Sequence, residues 1–328
     1  MRNVCLLSEP IHNVKIYRDF SELPLELRGG AVTIGNFDGV HRGHARIVER
    51  LRAAAKRVGG PAIVFTFDPH PVRLLRPAEA PPPLTWTDRK AELLAELHVD
   101  AMIAYPTDEA LLSFTPAEFF QSIIRDRLDA RAIVEGPNFR FGRARAGTID
   151  VLRQLANAAG INLEVVEPLM VGGQAVSSSR VRRLVGDGKI ADANALLTKP
   201  YRIRGLVVHG AGRGMKIGFP TANVDGIDTL LPNSGVYSGR VAIAGVAYSA
   251  AINIGPNLTF GEHLLKVEVH VIDWHGPLYG TVLEVDFLAR LRDIQRFENV
   301  DELKLQLQAD IAAAKSTGLP SQGTASHE

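Results

Sequence analysis

One segment near the amino terminus constrains the fold and the chemistry of this chain more than any other. A short apolar run at residues 31–34 leads into the string Gly-Asn-Phe-Asp-Gly-Val-His-Arg-Gly-His at residues 35–44. The glycines favour a tight turn, and a helical pattern begins near His41. This order places unpaired backbone N–H groups and the positive end of a helix dipole beside the end of a strand. The segment therefore predicts a site for an anionic ligand, of which a triphosphate fits best.

Two histidines strengthen that prediction. His41 and His44 are three residues apart, so both imidazoles project from one face of the first helical turn. There they can donate to phosphoryl oxygens as negative charge develops. Zinc ligation is an alternative, but further ligands at useful spacing are missing because Cys5 is the only cysteine. A strand, turn and helix with incidental histidines is a second alternative, which the full string disfavours.

Composition sets only broad limits. The 328 residues suffice for two domains, and 46% hydrophobic and 22% charged residues are ordinary for a globular protein. The 37 basic and 36 acidic residues give a net charge of +1, which indicates neither a nucleic-acid nor a membrane partner. We find no apolar run that could span a bilayer and no signal-peptide core. A single cysteine cannot form an internal disulfide, so we expect a reducing, cytoplasmic location.

Strand and helix patterns alternate in the first half of the chain. Strands are predicted at residues 31–34, 62–67, 101–104, 132–134 and 162–166, with helices at 43–58, 89–97, 116–127 and 149–159. This order predicts βαβ units and a parallel sheet with helices on both faces. Because ligands bind at the carboxyl ends of such strands, the turns at 35–44, 68–71 and 135–138 should converge.

The pattern changes after Leu184. Residues 186–197 predict one helix, which Lys199 and Pro200 end. Short alternating strands are then predicted at 202–208, 235–243, 247–254, 265–271 and 281–289. Turns rich in glycine, proline and asparagine separate them, which predicts a barrel or a sandwich. A closing helix at 300–315 precedes a Ser/Gly/Pro tail that we expect to be disordered.

Three further segments of the first half carry polar groups at strand ends or helix starts. The turn Asp68-Pro69-His70-Pro71 can bind a ligand or serve only as an Asx turn. The stretch Asn138-Phe139-Arg140-Phe141 can shelter a flat ring or form an ordinary loop. Ser177, Ser178 and Ser179 stand at a helix start with Arg182 inside, which suits either polyphosphate binding or a solvated cap.

The second half contains one segment dense in glycine, residues 209–223. It lacks the Gly-Lys-Ser/Thr of a Walker A loop, and no helix is predicted after it. Thr221 and Asn223 are two residues apart in extended chain, so both point to one face and could coordinate Mg²⁺ that carries ATP phosphates. The preceding glycines could offer backbone N–H groups to those phosphates. An ordinary glycine-rich hairpin is the alternative.

A later strand alternates cleanly between valine and polar residues. Val267, Val269 and Val271 face one side, and Glu268 and His270 face the other. Such polar residues can simply be solvated. If they face a closed site, Glu268 can accept the proton of a primary hydroxyl that attacks a γ-phosphate.

Together these motifs resemble a known family. His41-Arg42-Gly43-His44 is similar to the His-x-Gly-His signature of the nucleotidyltransferases, and the longer string resembles the bacterial bifunctional riboflavin kinase/FMN adenylyltransferases. By that resemblance, the phosphate of FMN attacks the α-phosphorus of ATP in the first domain, and pyrophosphate leaves. The resemblance implies catalytic roles for His41 and His44. The implied residues that bind the ATP phosphates are Gly35, Asn36, Phe37, Gly39, Ser177, Ser178, Ser179 and Arg182. The implied residues that bind the flavin and the nucleotide are Asp68, Pro69, His70, Asn138, Phe139 and Arg140.

The second half resembles the riboflavin kinase module of the same family. The strings Gly-Phe-Pro-Thr-Ala-Asn at 218–223 and Glu-Val-His at 268–270 carry this resemblance, with Asn253-Ile254-Gly255, Tyr279-Gly280 and Arg292-Asp293. It implies that Glu268 is the base at the riboflavin 5′-hydroxyl and that Thr221 and Asn223 bind Mg²⁺ with ATP. The remaining implied ATP-binding residues are Gly210, Gly212, Gly214, Lys216, Gly218 and Pro220. The implied flavin-binding residues are Asn253, Arg292 and Phe297.

The resemblance leads to expectations for fold, partners and boundaries. We expect a Rossmann-like nucleotidyltransferase domain with a parallel sheet at 1–185, a linker helix at 186–200, a six-stranded antiparallel β-barrel with a closing helix at 201–316, and a tail at 317–328. The expected ligands are ATP, riboflavin, FMN, FAD and Mg²⁺; oligomeric state stays open. Two departures, Leu258 in a Leu-Thr-Phe string where the family has Pro-Thr-Phe and Ile294 where it has glutamate, affect the expected flavin pocket.

Two other functions stay open at this point. The His-x-Gly-His signature also occurs in transferases that act on pantetheine phosphate or nicotinate mononucleotide, although those enzymes do not need an appended barrel. A flavin-binding regulator or carrier without catalysis would have damaged catalytic positions, whereas His44, Thr221 and Glu268 are all in place.

Overall fold

The computed structural model describes residues 14–256 and 265–318. Cys5, the Leu258-Thr259-Phe260 string and most of the predicted tail therefore lie outside the described residues. The chain divides into two compact units. The first contains the chain up to Pro81 and Trp86–Val176, and the second contains Pro82–Thr85 and the chain from Ser177 onward. The domain boundaries given above stay predictions. Within the described ranges, no helix combines the length and the hydropathy needed to cross a membrane.

The first unit is built on a parallel sheet, as predicted. Six strands lie in the order β1-β4-β3-β2-β5-β6, and every pair is parallel. Their bounds are β1 Lys15–Tyr17, β2 Ala31–Ile34, β3 Ala62–Asp68, β4 Ala101–Pro106, β5 Ala132–Glu135 and β6 Asn162–Val165. A two-stranded hairpin follows, formed by β7 Met170–Val171 and β8 Gln174–Ala175. The five predicted strands are correct to within two residues, and β1 escaped prediction because it is only three residues long.

Helices connect these strands. Their bounds are α1 Arg42–Val58, α2 Pro71–Leu75, α3 Thr87–Glu96, α4 Glu109–Ser113, α5 Pro116–Phe119 with a π-helical continuation Phe120–Arg127, and α6 Ile149–Ala158. Short 3₁₀ turns are at Phe20–Glu22, Leu25–Leu27, Pro77–Glu79 and Arg143–Arg145. The short helices α2 and α4 were not predicted, since five residues carry too little periodicity.

The core of the first unit lies on both faces of this sheet. Alternate residues of one strand pack on opposite faces: Ile63 and Phe65 belong to one buried cluster, and Ala62 and Val64 to the other. All four residues of β2 are buried, as befits a central parallel strand. The loops that follow β2, β3 and β5 therefore lie together at the carboxyl edge of the sheet.

The second unit is a closed six-stranded antiparallel barrel with helices, again as predicted. The strand order is β10-β13-β12-β11-β14-β9, and the pairing of β10 with β9 closes the barrel. The bounds are β9 Arg202–Val208, β10 Ala222–Asp225, β11 Gly235–Ile243, β12 Val246–Gly255, β13 Lys266–Val271 and β14 Val282–Arg292. The helices are α7 Ser178–Gly186, α8 Ile190–Leu196, α9 Arg213–Lys216 and α10 Val300–Gly318.

The predictions for this unit differ from the structure in detail. The helix predicted at 186–197 begins only at Ile190, because α7 extends to Gly186 and Gly188 adopts φ +72° in the turn between α7 and α8. One helical turn, α9, lies inside the glycine-rich segment, where no helix was predicted. The closing helix ends at Gly318, three residues after its predicted end at 315.

A single side chain connects α8 to the barrel. The amide Nδ2 of Asn194 donates to the carbonyl oxygen of Phe287 at 2.8 Å, and its Oδ1 accepts from the backbone N–H of Tyr201 at 2.8 Å. Tyr201 is buried, and both backbone groups lie beside paired barrel strands. Asn194 thus satisfies a donor and an acceptor that the barrel itself leaves unpaired.

We expect Asn194→Ala to destabilise the second unit by about 2 kcal/mol, because two backbone groups lose their partner. Hydrogen exchange of the β9 and β14 amides measures this loss. Asp192→Ala, an exposed position on the same helix, is the control. Equal exchange in both variants would contradict the role assigned to Asn194.

Two candidate active sites

The loop between β2 and α1 is the centre of the first site. Its backbone is held by the neighbouring strand β3: the N–H of Gly35 donates to Phe65 O at 3.0 Å, and Thr66 Oγ1 donates to Asn36 O at 3.2 Å. Phe37 and Val40 adopt φ of 45° and 37°, a left-handed conformation that is rare for non-glycine residues. Such a backbone persists only where its surroundings impose it, and it is common at functional sites.

The two histidines lie together at the start of α1, as predicted. Their rings stack with centroids 3.6 Å apart. His41 is the N-cap, and its Nδ1 accepts from the backbone N–H of His44 at 3.2 Å. The neutral His41 ring therefore carries its proton on Nε2. Burial, with smaller contributions from His41 and Lys90, holds the pKa of His44 well below its usual value. Near neutral pH, His44 is an uncharged imidazole.

Two buried polar atoms at this site have no hydrogen-bond partner among the described residues. They are Asn36 Oδ1, in the loop, and His44 Nδ1, on the helix. Native proteins rarely leave such atoms unpaired, so these two mark a place where a ligand can supply the missing partner. The sequence predicted both residues as phosphate contacts.

The structure gives Asp68 and His70 structural partners. The Asp68 carboxylate accepts from Thr87 Oγ1 at 2.8 Å and from Arg18 at 3.0 Å. His70 caps α2 through Nδ1, which accepts from the N–H of Val72 at 3.1 Å. These residues follow β3, beside the loop after β2, as the strand order requires. Their predicted ligand contacts stay predictions.

The remaining predicted residues of the first site fall into two groups. Asn138 and Arg140 are exposed in the loop after β5, and the ring of Phe139 stacks on that of Phe141 with centroids 5.4 Å apart. Ser177 caps α7, where its Oγ accepts from the N–H of Arg180 at 3.3 Å. Ser177, Ser178, Ser179 and Arg182 belong to the second compact unit, and Arg182 Nε donates there to Pro82 O at 3.1 Å.

Sequence reasoning missed two buried charged residues at the first site. Glu135 ends β5 at 3% exposure, and its Oε1 accepts from the N–H of Ile34 at 2.6 Å. Burial raises the pKa of Glu135 well above its usual value, although the Ile34 hydrogen bond opposes this. Lys90, on α3, is 8% exposed, and its Nζ lies 3.4 Å from Thr66 Oγ1. A buried lysine inside an amphipathic helix pattern gives no sequence signal, because lysine ordinarily marks the solvated face.

The centre of the second site is a row of polar side chains across three barrel strands. Glu268 on β13 pairs in register with Asn223 on β10 and with Asn253 on β12. Asn253 Nδ2 donates to Glu268 Oε2 at 3.4 Å. The buried residues of β13 are Val267, Val269 and Val271, so the predicted alternation is confirmed. We call Asn223, Glu268 and Asn253 the polar row; all three line one cavity.

The glycine-rich segment forms one wall of that cavity. Gly210, Gly212 and Gly214 line it with Thr221, whereas Lys216, Gly218 and Pro220 do not. A Cβ on Gly210 would lie 2.2 Å from Asn223 Nδ2, so only glycine lets the backbone approach the polar row this closely.

His270 connects the polar row to the Phe219-Pro220-Thr221 turn. Its Nδ1 lies 2.7 Å from Pro220 O, and since a carbonyl only accepts, Nδ1 is the donor. Glu268 is two residues earlier on the same strand, and Thr221 follows Pro220 directly. This hydrogen bond therefore fixes Thr221 relative to the carboxylate of Glu268.

Helix α10 and the segment before it also line the cavity. Arg292 donates from Nη2 to Asp310 Oδ2 at 2.7 Å, and Asp310 is 4% exposed, so this ion pair fastens α10 to the end of β14. The predicted flavin contacts Asn253, Arg292 and Phe297 all line the cavity. Ile294, in the family's glutamate position, lies against Gly255 and makes this wall apolar with Phe297 and Leu307.

The described residues contain no group of three or more His, Cys, Asp or Glu side chains that could hold a metal ion. Thr221 and Asn223 supply only neutral oxygens. Such donors suit a hard cation that brings its other oxygen ligands from phosphates and water.

Glu135 makes the stability of the first unit depend on pH. Its folded pKa lies above the usual value near 4.5, so its stabilising contribution is complete below that pH and is lost as pH rises toward the folded pKa. Glu135→Gln keeps an acceptor for Ile34 and cannot ionise. We expect the variant to gain stability relative to wild type as the pH of a denaturation series rises from about 4.5 to 8. Exposed Glu49→Gln is the control, and equal pH profiles for wild type and Glu135→Gln would refute this account.

Comparison with known proteins gives a consistent picture. The family described as FAD synthetase matches residues 24–180, and the family described as riboflavin kinase matches residues 197–317. The two matches coincide with the parts of the chain that carry the two sites.

Similar proteins match over nearly the whole chain. A bifunctional riboflavin kinase/FMN adenylyltransferase from Pseudomonas fluorescens is 36% identical over 94% of this chain and 99% of its own. That of Escherichia coli (strain K12) is 34% identical over 93% and 95%. A crystal structure described as a macrolide-efflux protein from Streptococcus pneumoniae shares 29% identity and a TM-score of 0.81, over 92% of this chain and 99% of that one. The description of that structure names transport, whereas the names of the two enzymes do not. This match shows a shared fold. The identity with the two enzymes shows that this chain belongs to the family of bifunctional riboflavin kinase/FMN adenylyltransferases.

Proposed function

We propose that this protein phosphorylates riboflavin to FMN at the barrel and then adenylylates FMN to FAD at the parallel-sheet unit, with ATP as donor in both steps. The observation that carries this proposal is the presence of a separate site in each unit. One has stacked histidines at a helix start below a strained loop. The other has a carboxylate between two amides on the wall of a cavity.

In the kinase site, Glu268 acts as the general base. Its carboxylate accepts the proton of the riboflavin 5′-hydroxyl, whose oxygen then bonds to the γ-phosphorus of ATP as the bond to the β-phosphate oxygen breaks and ADP leaves. Asn253 donates to this carboxylate and so fixes its orientation. The apolar wall of Ile294, Phe297 and Leu307 suits the flavin ring, and Arg292 holds that wall in place through Asp310.

Thr221 and Asn223 are the residues that would bind Mg²⁺ with ATP, and the cation would offset the charge of the phosphates. Both side chains line the cavity beside Glu268. Backbone N–H groups of the glycine-rich segment, including Gly210, Gly212 and Gly214, would bind phosphate oxygens. We keep Lys216, Gly218 and Pro220 as predicted members of this segment, with Lys216 placed to attract the nucleotide electrostatically.

In the adenylyltransferase site, positioning and charge stabilisation replace a protein nucleophile. An oxygen of the FMN phosphate bonds to the α-phosphorus of ATP, and the bond to the β-phosphate oxygen breaks as pyrophosphate leaves. His44, uncharged near neutral pH, and Nε2–H of His41 donate to the transferring phosphate. The backbone of Gly35, Asn36, Phe37 and Gly39 surrounds the same phosphate.

We keep the other predicted contacts as proposals that rest on the family. Ser177, Ser178, Ser179 and Arg182 would bind the β- and γ-phosphates. The residues Asp68, Pro69, His70, Asn138, Phe139 and Arg140 would border the flavin and the nucleotide. We propose a cytoplasmic location and no nucleic-acid partner, which the near-neutral composition supports. The proposed kinase barrel would produce FMN and so supports FMN as the acceptor. It gives no such support to another acceptor, such as pantetheine phosphate.

Two variants test both activities in one chromatographic time course with riboflavin, ATP and Mg²⁺. His44→Ala should accumulate FMN, with FAD formation reduced at least about 100-fold because a transition-state donor is lost. Glu268→Ala should leave riboflavin unchanged but still convert added FMN to FAD, because a general base contributes about 10²- to 10⁴-fold. Exposed His275→Ala is the control and should resemble wild type. A wild-type protein that forms neither FMN nor FAD would refute the proposal, and FMN without FAD would point to another acceptor.

His270 offers a sharper test of the kinase geometry. His270→Ala removes the hydrogen bond to Pro220 O and should raise the KM for Mg-ATP about tenfold, a loss of roughly 1.4 kcal/mol, in the range of one hydrogen bond. His270→Gln retains a donor and should recover part of this affinity. If kcat falls with KM unchanged in both variants, His270 does not act through the Thr221 turn.

A further inference from the structure

Lys90 is a buried cation that the proposed chemistry does not use. It lies on α3 at 8% exposure, beside β3, and near the carboxylates of Asp38 and Asp68. Burial lowers the pKa of Lys90, and these two carboxylates oppose that shift. Burying an ammonium group is costly, and the carboxylates of Asp38 and Asp68 offset only part of that cost, since the pKa of Lys90 stays lowered. A buried lysine therefore calls for a function other than packing.

The contacts of Lys90 lead directly to the strained loop. Its Nζ lies 3.4 Å from Thr66 Oγ1, and that hydroxyl donates its own hydrogen to Asn36 O at 3.2 Å. Donor and acceptor roles agree along the series, since the ammonium only donates and the hydroxyl both accepts and donates. The chain of contacts thus runs from α3, through β3, to the loop that precedes His41.

A second contact sets the position of α3 itself. Thr87, three residues before Lys90 on the same helical face, donates from Oγ1 to Asp68 Oδ2 at 2.8 Å. Asp68 and Thr66 share one face of β3, because they are two residues apart. Helix α3 is therefore attached to that strand at two points, and the second is Lys90.

We propose that Lys90 is a positioning residue for adenylyl transfer, which acts through Thr66 to hold the Asn36 carbonyl and the loop 35–40 in the conformation that places His41 and His44. This inference rests on the proposed function for its kinetic effect, but not for its structural effect. The ammonium polarises the Thr66 hydroxyl and strengthens the bond that it donates. This bond is one of those that hold the loop in which Phe37 and Val40 adopt their left-handed backbone.

The test compares Lys90→Met and Thr66→Val in the full chain. Both should lower kcat/KM for FMN adenylylation about 10- to 100-fold, since small misplacement of a transition-state contact has effects of that size. Riboflavin phosphorylation by the barrel, measured on the same sample, should stay at the wild-type rate. Thr66→Ser keeps the hydroxyl and should resemble wild type, as should Lys56→Met, which removes an exposed lysine from α1.

Two measurements separate positioning from a merely structural role. Lys90→Met leaves the buried carboxylate of Asp38 without this nearby cation and should lower the thermal midpoint of unfolding. FMN adenylylation is therefore measured well below that midpoint, where the variant is folded, and a wild-type rate there would overturn the proposal. The double variant should be no slower than Thr66→Val alone, because the two residues act in series. Effects that multiply would show independent action and would also overturn it.

Hydrogen exchange gives a readout that needs no activity. Peptides that cover residues 35–44 should exchange faster in Lys90→Met and Thr66→Val than in wild type. Unchanged exchange in both variants would overturn the inference even if activity falls. If the wild-type protein makes no FAD, the proposed function fails, and the exchange result still decides whether Lys90 holds the loop.

Discussion

The loop between β2 and α1 takes its shape from the two strands beside β2. Thr66 on β3 holds the carbonyl of Asn36, and Glu135 at the end of β5 accepts the N–H of Ile34 immediately before the loop. Because the strands are parallel, these side chains reach the same edge of the sheet as the start of α1. The left-handed backbone at Phe37 and Val40, the cap formed by His41 and the stack with His44 all follow from this support.

In the barrel, the register of the strands positions the side chains of the second site. The side chains of β13 alternate, so a slip of one residue would turn Glu268 into the barrel interior and expose the valines. The valine side fixes this register because it is buried, and Asn223 and Asn253 then lie beside Glu268 on neighbouring strands. The same hydrophobic contacts that stabilise the barrel therefore assemble the polar row. Gly210 completes the arrangement, since any side chain there would collide with Asn223.

The sequence predicted those parts of the structure that follow from local patterns. Strands such as β2 and β9 have their predicted bounds, because short apolar or alternating runs flanked by turn residues leave little freedom. The break at Gly188 was missed, since helical residues continue on both sides of it. The roles of Lys90 and Glu135 arise only when distant strands and helices pack, and a charged residue in a sequence gives no sign of its burial. Residue positions at the two sites were predicted by resemblance, whereas the contacts that hold them were not predictable from local sequence.

The chemistry of the two proposed acceptors explains why the sites differ. A phosphate monoester has its second pKa near 6, so the FMN phosphate is already ionised at neutral pH and can attack without a base. The first site accordingly has imidazoles, backbone N–H groups and a lysine behind the loop. Of its buried carboxyl groups, Glu135 accepts a backbone hydrogen bond and Asp38 lies near Lys90. The riboflavin hydroxyl is an alcohol and must lose its proton during attack, which requires a carboxylate within reach. Glu268, held by Asn253 on the cavity wall, meets that requirement. A positioned carboxylate base in the barrel site is therefore what an alcohol acceptor demands, whereas a phosphate acceptor that is already ionised needs charge stabilisation instead.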